Sequence, residues 1–302
     1  MKTTRFDFMG KRRLALTISA VCILASLIFL MVRGLNLGID FTGGNLVQVE
    51  FEKDVSVADV RNALAKTNQA NSVIQAYSSK GVIIRIVADK EDDRKVLAET
   101  LKTSFPGAKI VRFEKVGPVV GSELRQEAVI ALCIALIGIL LYITVRFQFR
   151  FAVVSVLALV HDSVITIGAF SLTGMEVSST FIAAILTIVG YSLNDTIIIY
   201  DRIRENRKLM GPKADYGTLV DTSINQTLTR SLYTAGCTFA AIAVVYIVSV
   251  MYNLDSVQTF ALPMMVGIIT GCYSSVCVAG PLYVMWQKHK QQKKQQAVAS
   301  SR

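Results

Sequence analysis

The sequence predicts a polytopic α-helical membrane protein, with six spanning helices and one α+β domain inserted between the first two. Three observations carry this prediction. Of the 302 residues 52% are hydrophobic and 18% charged, and the apolar ones are gathered into blocks rather than spread along the chain. Six blocks reach the roughly 20 residues that cross a hydrocarbon core: residues 14–32, 128–145, 152–171, 179–199, 232–251 and 259–280. A single long hydrophilic segment, residues 34–126, lies between the first two blocks and alternates strand and helix signals.

The first block follows the basic leader Lys11, Arg12 and Arg13. It is longer than a signal-peptide core and no small-residue cleavage site follows, so it reads as a retained helix. Residues 1–33 therefore form an N-terminal leader and helix 1. In the hydrophilic segment, "NLVQVEFE" places Val47, Val49 and Phe51 on one side and Gln48, Glu50 and Glu52 on the other, the pattern of a half-buried strand. Ser56 and Asp59 fit a capping box for a helix through about Lys66. "SVIQAYS" and "GVIIRIV" read as two strands joined at Ser79 to Gly81, "DKEDDRKVLAETLKTS" as a second helix and "AKIVRFEKV" as a last strand. The order β-α-β-β-α-β is the ferredoxin-like arrangement, which hosts many functions and selects none.

The joints between this domain and the membrane are rich in glycine. "GIDFTGG" supplies Gly38, Asp40, Gly43 and Gly44, and "VGPVVGSEL" supplies Gly117, Pro118 and Gly121. Glycine allows sharp turns and close backbone packing, or a hinge. Neither stretch has the spacing of a phosphate-binding loop.

Residues 127–286 are assigned to helices 2–6. Helix 3 carries His161 and Asp162 near its midpoint; helix 4 carries Asn194 and Asp195 about ten ångströms from its own centre. A carboxylate at such depth should face protein or water. Thr187, Tyr191, Asn194 and Asp195 recur every three or four residues, which predicts one polar interior stripe. Arg230, at the start of helix 5, is the natural counter-charge. Burial favours a neutral carboxyl and a nearby guanidinium favours a charged one, so movement of Arg230 would switch the proton affinity of Asp195. A static ion pair would use the same two residues. His161 and Asp162 could equally satisfy each other as polar support. Asp201, Arg202 and Arg204 follow the apolar run and read as an interfacial anchor and helix stop. In helix 6, Gly267 and Gly271 permit close contact, within the bundle or with a partner, and are followed by Ser274 and Ser275.

Lysine and arginine set the orientation. Residues 1–13 hold 5, residues 146–151 hold 2, residues 200–230 hold 6 and the basic tail, 287–302, holds 5, while the loops around Glu176 and Asp255 hold none. Both termini are expected in the cytoplasm and the large domain outside it. This topology accounts for most of the net charge of +10, so the charge is not read as a nucleic-acid footprint. Cys22, Cys133, Cys237, Cys272 and Cys277 fall inside predicted helices and read as packing residues, not disulfides or metal ligands.

"GIDFTGG", "VGPVVG", "ALVHD" and "GYSLNDTIIIYDRIREN" together resemble the SecF branch of the SecD/SecF protein-export family, within the proton-driven RND transporter superfamily. The likeness covers the whole chain. It implies a non-enzymatic subunit that, with SecD, uses the proton gradient to promote late-stage preprotein translocation across the bacterial inner membrane. It further implies that Asp195, Arg230 and Asn194 serve a proton relay, completed by an Asp from SecD. The implied partners are SecD, the SecYEG channel, YajC, YidC and the translocating preprotein. No cofactor beyond the proton is implied. One departure is Gln148 in "RFQFR", where the family often has an acid. Three rival readings stand beside this one: a homodimeric small-molecule or lipid exporter, a purely structural subunit, and an intramembrane aspartyl protease. The last lacks a GxGD motif and has its "YD" (Tyr200, Asp201) at the membrane edge.

Overall fold

The computed structural model describes residues 6–300 apart from 66, 68–71, 87–92 and 212–213. In chain order the elements are α1 (Arg12–Arg33), β1 (Asn36–Leu37), α2 (Ile39–Thr42), β2 (Gly44–Glu50), α3 (Val57–Ala65), β3 (Val73–Ser78), β4 (Gly81–Ile86), α4 (Asp93–Ser104) and β5 (Lys109–Val116). Then follow α5 (Pro118–Arg146), α6 (Phe149–Thr173), β6 (Glu176–Val177), α7 (Ser179–Met210), α8 (Tyr216–Met251) and α9 (Asp255–Ser274). A π-helical turn at Ser275–Ala279 leads into α10 (Gly280–Ser300). Two compact units result: Met1–Asn36 with Ala131–Met175 and Thr180–Arg302, and Leu37–Ile130 with Glu176–Ser179.

The second unit is built on an antiparallel sheet in the order β3-β4-β2-β5, the ferredoxin-like topology. Ser56 and Asp59 form a reciprocal capping box: the Asp59 amide donates to Ser56 Oγ (3.1 Å) and the Ser56 amide to Asp59 Oδ2 (3.3 Å). The helix they start is described to Ala65; Lys66, Val87 and the first residues of the predicted second helix lie outside the described residues. Val47, Val49 and Phe51 pack against Val60, Leu64, Leu97 and Leu101 on one face of the sheet. The other face is not solvated as the alternation predicts, because Ile39 of α2 covers Leu46 and Ile83 there and Gln48 is buried as well. Only Glu50 and Glu52 of the expected polar side are exposed.

The long helices outrun their apolar blocks, and among the described residues six spans are long and apolar enough to cross a membrane. The charge cluster after the fourth block does not stop α7. Arg204 pairs with Asp201 (2.8 Å) and Arg202 with Glu205 (2.6 Å), the i,i+3 spacing that supports a helix, and Asn206 donates to Ser223 (2.9 Å) and Gln226 (2.8 Å) of α8. The helix ends instead before Gly211, whose φ of +80° suits only glycine well. The GxxxG face of α9 serves the bundle itself: Gly267 lies against Ile188 and Gly271 against Ser192. The packing role expected of the cysteines fails for Cys22, Cys133 and Cys237, which are exposed on helix faces this chain leaves uncovered. A contact invisible in the sequence holds the N-terminus, where Asp221 accepts from the amides of Phe8 (2.8 Å) and Met9 (3.3 Å).

Asp215 caps α8 by accepting from the Thr218 amide (3.0 Å). That bond, with a smaller contribution from Lys288, holds its carboxyl below the usual range. A depressed folded pKa means the cap contributes fully above the unfolded value near ~3.9 and is lost as pH falls through the lower folded value. We expect the first turn of α8 to loosen only below about pH 4, whereas Asp215→Ala loosens it at neutral pH by about 1 kcal/mol. Amide exchange at Thr218 measures both, and equal exchange in the two proteins at neutral pH would rule the cap out.

Candidate functional site

Three helices of the first unit meet on one carboxylate. Asp162 of α6 is buried at 1% exposure. Its Oδ2 accepts from Ser192 Oγ of α7 (2.8 Å) and from Ser274 Oγ at the end of α9 (2.8 Å), while Oδ1 faces His161 Nδ1 (2.9 Å). The close approach depends on Gly271, where a Cβ would lie 2.9 Å from that of Ser192. The π-helical turn follows at once. It aims Ser275 Oγ at the Ser192 carbonyl (3.3 Å) and at Thr196 Oγ1 (2.8 Å), consistent with the frequent use of such turns at functional sites. His161 stacks near Tyr273 (6.4 Å between ring centroids), and its Nε2 is buried without a hydrogen-bond partner among the described residues.

Asp195 lies one turn beyond Ser192 and is buried at 3% exposure. Arg230 and Ser231 of α8 lie near its carboxyl, as do Tyr191 and Cys272, and Ser231 Oγ is buried with no hydrogen-bond partner among the described residues. Arg230 is exposed, and no ion pair joins it to Asp195 among the described residues. The alternative of a static pair is therefore not met in this conformation, while the guanidinium remains within electrostatic reach. The predicted single stripe also divides. Thr187 and Asn194 are exposed, Tyr191 is half-buried with no hydrogen-bond partner for its hydroxyl among the described residues, and only Asp195 of the four is enclosed. Adjacent helical residues point about 100° apart, so Asn194 cannot share the direction of Asp195.

The glycine joints pack within the second unit. Gly43 and Gly44 have φ of +69° and +117°. A Cβ on Gly43 would lie 2.8 Å from Pro118 Cα, and one on Gly121 would lie 2.9 Å from the Gly43 nitrogen; Gly117 has open space. Gly38 donates its amide to the Val177 carbonyl (2.9 Å). Asp40 accepts from both the amide (2.7 Å) and hydroxyl (2.6 Å) of Ser179, the first residue of α7. Asp40 of α2 is thus a cap for a helix distant in sequence.

Ser192, Thr196 and Ser231 were not singled out from the sequence, although Ser192 stands three residues before Asp195. Among the described residues, no group of three or more His, Cys, Asp or Glu could hold a metal ion. The arrangement suits proton movement: two enclosed carboxylates lie near hydroxyls that can exchange donor and acceptor roles without moving their oxygens.

The sequence model described as "Protein export membrane protein SecD/SecF, C-terminal" matches residues 96–289, and that of the SecD/SecF GG motif matches residues 28–55. The chain belongs to the SecD/SecF family. Among SecD/SecF relatives, a protein translocase subunit SecF from Desulfurispirillum indicum is 40% identical over 93% of this chain and 91% of its own. Another, from Vibrio alginolyticus, is 39% identical over 91% and 88%. The crystal structure of SecDF from Thermus thermophilus, a translocon-associated membrane protein, superposes with a TM-score of 0.88 at 35% identity, covering 95% of this chain. A SecDF structure in a super-membrane-facing form gives 0.68 at 36% identity. The chain spans 40% of the length of either SecDF. The GG-motif match takes in Gly38, Asp40, Gly43 and Gly44, the residues of the packed joint.

Proposed function

We propose that this chain is the SecF-type half of a proton-driven protein-export motor. It is a multi-pass subunit of the bacterial inner membrane, both termini cytoplasmic, which pairs with SecD and promotes late-stage preprotein movement. The observation that carries the reading is Asp195: a carboxyl enclosed in an apolar helix, with no ion pair among the described residues and with Arg230 on the next helix within electrostatic reach. The near-complete coverage of SecF relatives supports the choice of branch.

The coupling ion is the proton and no other cofactor is involved. Protonation of Asp195 removes the attraction that draws Arg230 towards it, and α7 and α8 repack. One charge crossing 100 mV releases roughly 2.3 kcal/mol, enough for a modest rearrangement. The exposed Asn194 and Thr187 give α7 a polar face for SecD, whose own acidic residue completes the path. SecYEG, YajC, YidC and the preprotein are the further partners, and no nucleic acid is.

The test is preprotein export in vesicles holding this chain with SecD, with and without a proton gradient. Asp195→Asn is expected to abolish the gradient-dependent part of late-stage export while the complex still assembles. Unchanged export would show Asp195 to be structural and place the motor in the partner.

A further inference from the structure

A cavity of about 430 Å³ opens at the basic ends of α6, α7, α8 and α10. Arg150, Arg204, Arg207 and Lys208 line it, and no Asp or Glu is among its described lining residues. The floor is apolar and rigid, with Phe151 stacked on Tyr283 at 4.2 Å and 10°. Two of the cations are fixed by contacts with neighbouring groups. Arg150 Nη1 donates to the buried Gln287 (2.5 Å), and Arg207 lies over the Tyr216 ring (4.5 Å) while donating to the Ala214 carbonyl (2.9 Å). Arg204 is partly neutralised by Asp201, which lies outside the lining. The α6 helix also begins here, and its N-cap Gln148 makes no side-chain capping bond. Its first amides therefore add partial positive charge.

The orientation of a membrane protein needs cations beside its helices but does not need them to converge. Gathering four around one concave, aromatic-floored space costs repulsion that a bound anion relieves. Guanidinium forks match phosphate oxygens. The same lining presents apolar side chains next to the cations, at the ends of membrane-spanning helices, which fits a headgroup with its acyl chains attached. We propose that this cavity binds the phosphate of an anionic phospholipid headgroup.

The test is native mass spectrometry of the full chain, purified in neutral detergent and titrated with phosphatidylglycerol or phosphatidylcholine. The chain is expected to retain phosphatidylglycerol preferentially, and the double variant Arg150→Gln with Arg207→Gln to lose roughly ten- to thirtyfold of that retention, at about fivefold per charge. Should the double variant fail to fold, Lys208→Gln, at an exposed position, is expected to lower retention about fivefold alone. Equal retention of the two lipids, or variants that retain phosphatidylglycerol like the native chain, would overturn the proposal. Full displacement of the lipid by excess inorganic phosphate would overturn the lipid assignment and leave a free-anion site.

Discussion

Asp162→Ala is expected to loosen the contact between α6, α7 and α9 and to remove gradient-driven export along with it. The variant deletes the acceptor of two buried hydroxyls, Ser192 and Ser274, and the partner of His161. Interhelical hydrogen bonds in bilayers average only ~0.6 kcal/mol, because the separated helices find other partners. Ser274 has such a fallback in the Gly271 carbonyl at 3.2 Å. Among the described residues Ser192 Oγ donates only to Asp162, and His161 already has one ring nitrogen unsatisfied. A total loss of about 2–4 kcal/mol follows from leaving such groups without partners, or a drop of roughly 5–15 °C in thermal midpoint in detergent. Asp162→Asn keeps the size and an accepting oxygen, so it should cost roughly half as much. A native-like midpoint for Asp162→Ala would show the three-helix junction to be incidental. Equal losses for Ala and Asn would show that charge rather than geometry holds it. Export should fall in step with stability in this pair, unlike in Asp195→Asn, because Ser192 fixes the turn of α7 that carries Asp195.

The six spans and the β-α-β-β-α-β order were legible in the sequence because each rests on a short-range pattern: block length for the spans, alternation and capping for the domain. Gln48 shows where such patterns stop. Alternation describes one strand, whereas burial of the sheet's second face draws on Ile39 of α2, an element too short to leave a periodic signal. The charge cluster at Asp201 misled for a related reason, since hydropathy marks the edge of the membrane and the helix continues on i,i+3 ion pairs and a side chain from α8. Asp195 could be found as a charge in an apolar run, but Ser192 could not be separated from other small helical residues, and Ser274 stood out only as a small residue after the GxxxG. Their meaning arises only when Gly271 lets α7 and α9 approach. Arg230 shows the remaining limit: sequence spacing allowed an ion pair with Asp195, and side-chain packing decides that the pair is open.

The glycine joints yield the second large effect, and it separates packing from hinge motion. Gly43→Ala is expected to destabilise the full chain by about 2–5 kcal/mol, since two costs add. An alanine at φ +69° is strained by about 1–2 kcal/mol, and its Cβ would meet Pro118 Cα at 2.8 Å, a backbone atom that no rotamer change can move aside. Gly121→Ala meets the Gly43 nitrogen at 2.9 Å without the unfavourable φ, so only the crowding cost of about 1–3 kcal/mol applies. Gly117 has neither a positive φ nor a neighbour within 4 Å of a new Cβ. Gly117→Ala should therefore be neutral or mildly stabilising, by about 0.4–1 kcal/mol, through the unfolded chain. Thermal midpoints of the three variants should fall in the order Gly117, Gly121, Gly43, with the last lowest. A hinge makes the opposite demand at Gly117, because alanine would restrict a glycine of the joint that has open space around it. If Gly117→Ala folds at the native midpoint and yet loses gradient-driven export, the joint works by bending there. If it exports normally while Gly43→Ala fails to fold, the two glycine motifs act as a backbone clasp, and any movement of the α+β domain must arise outside them.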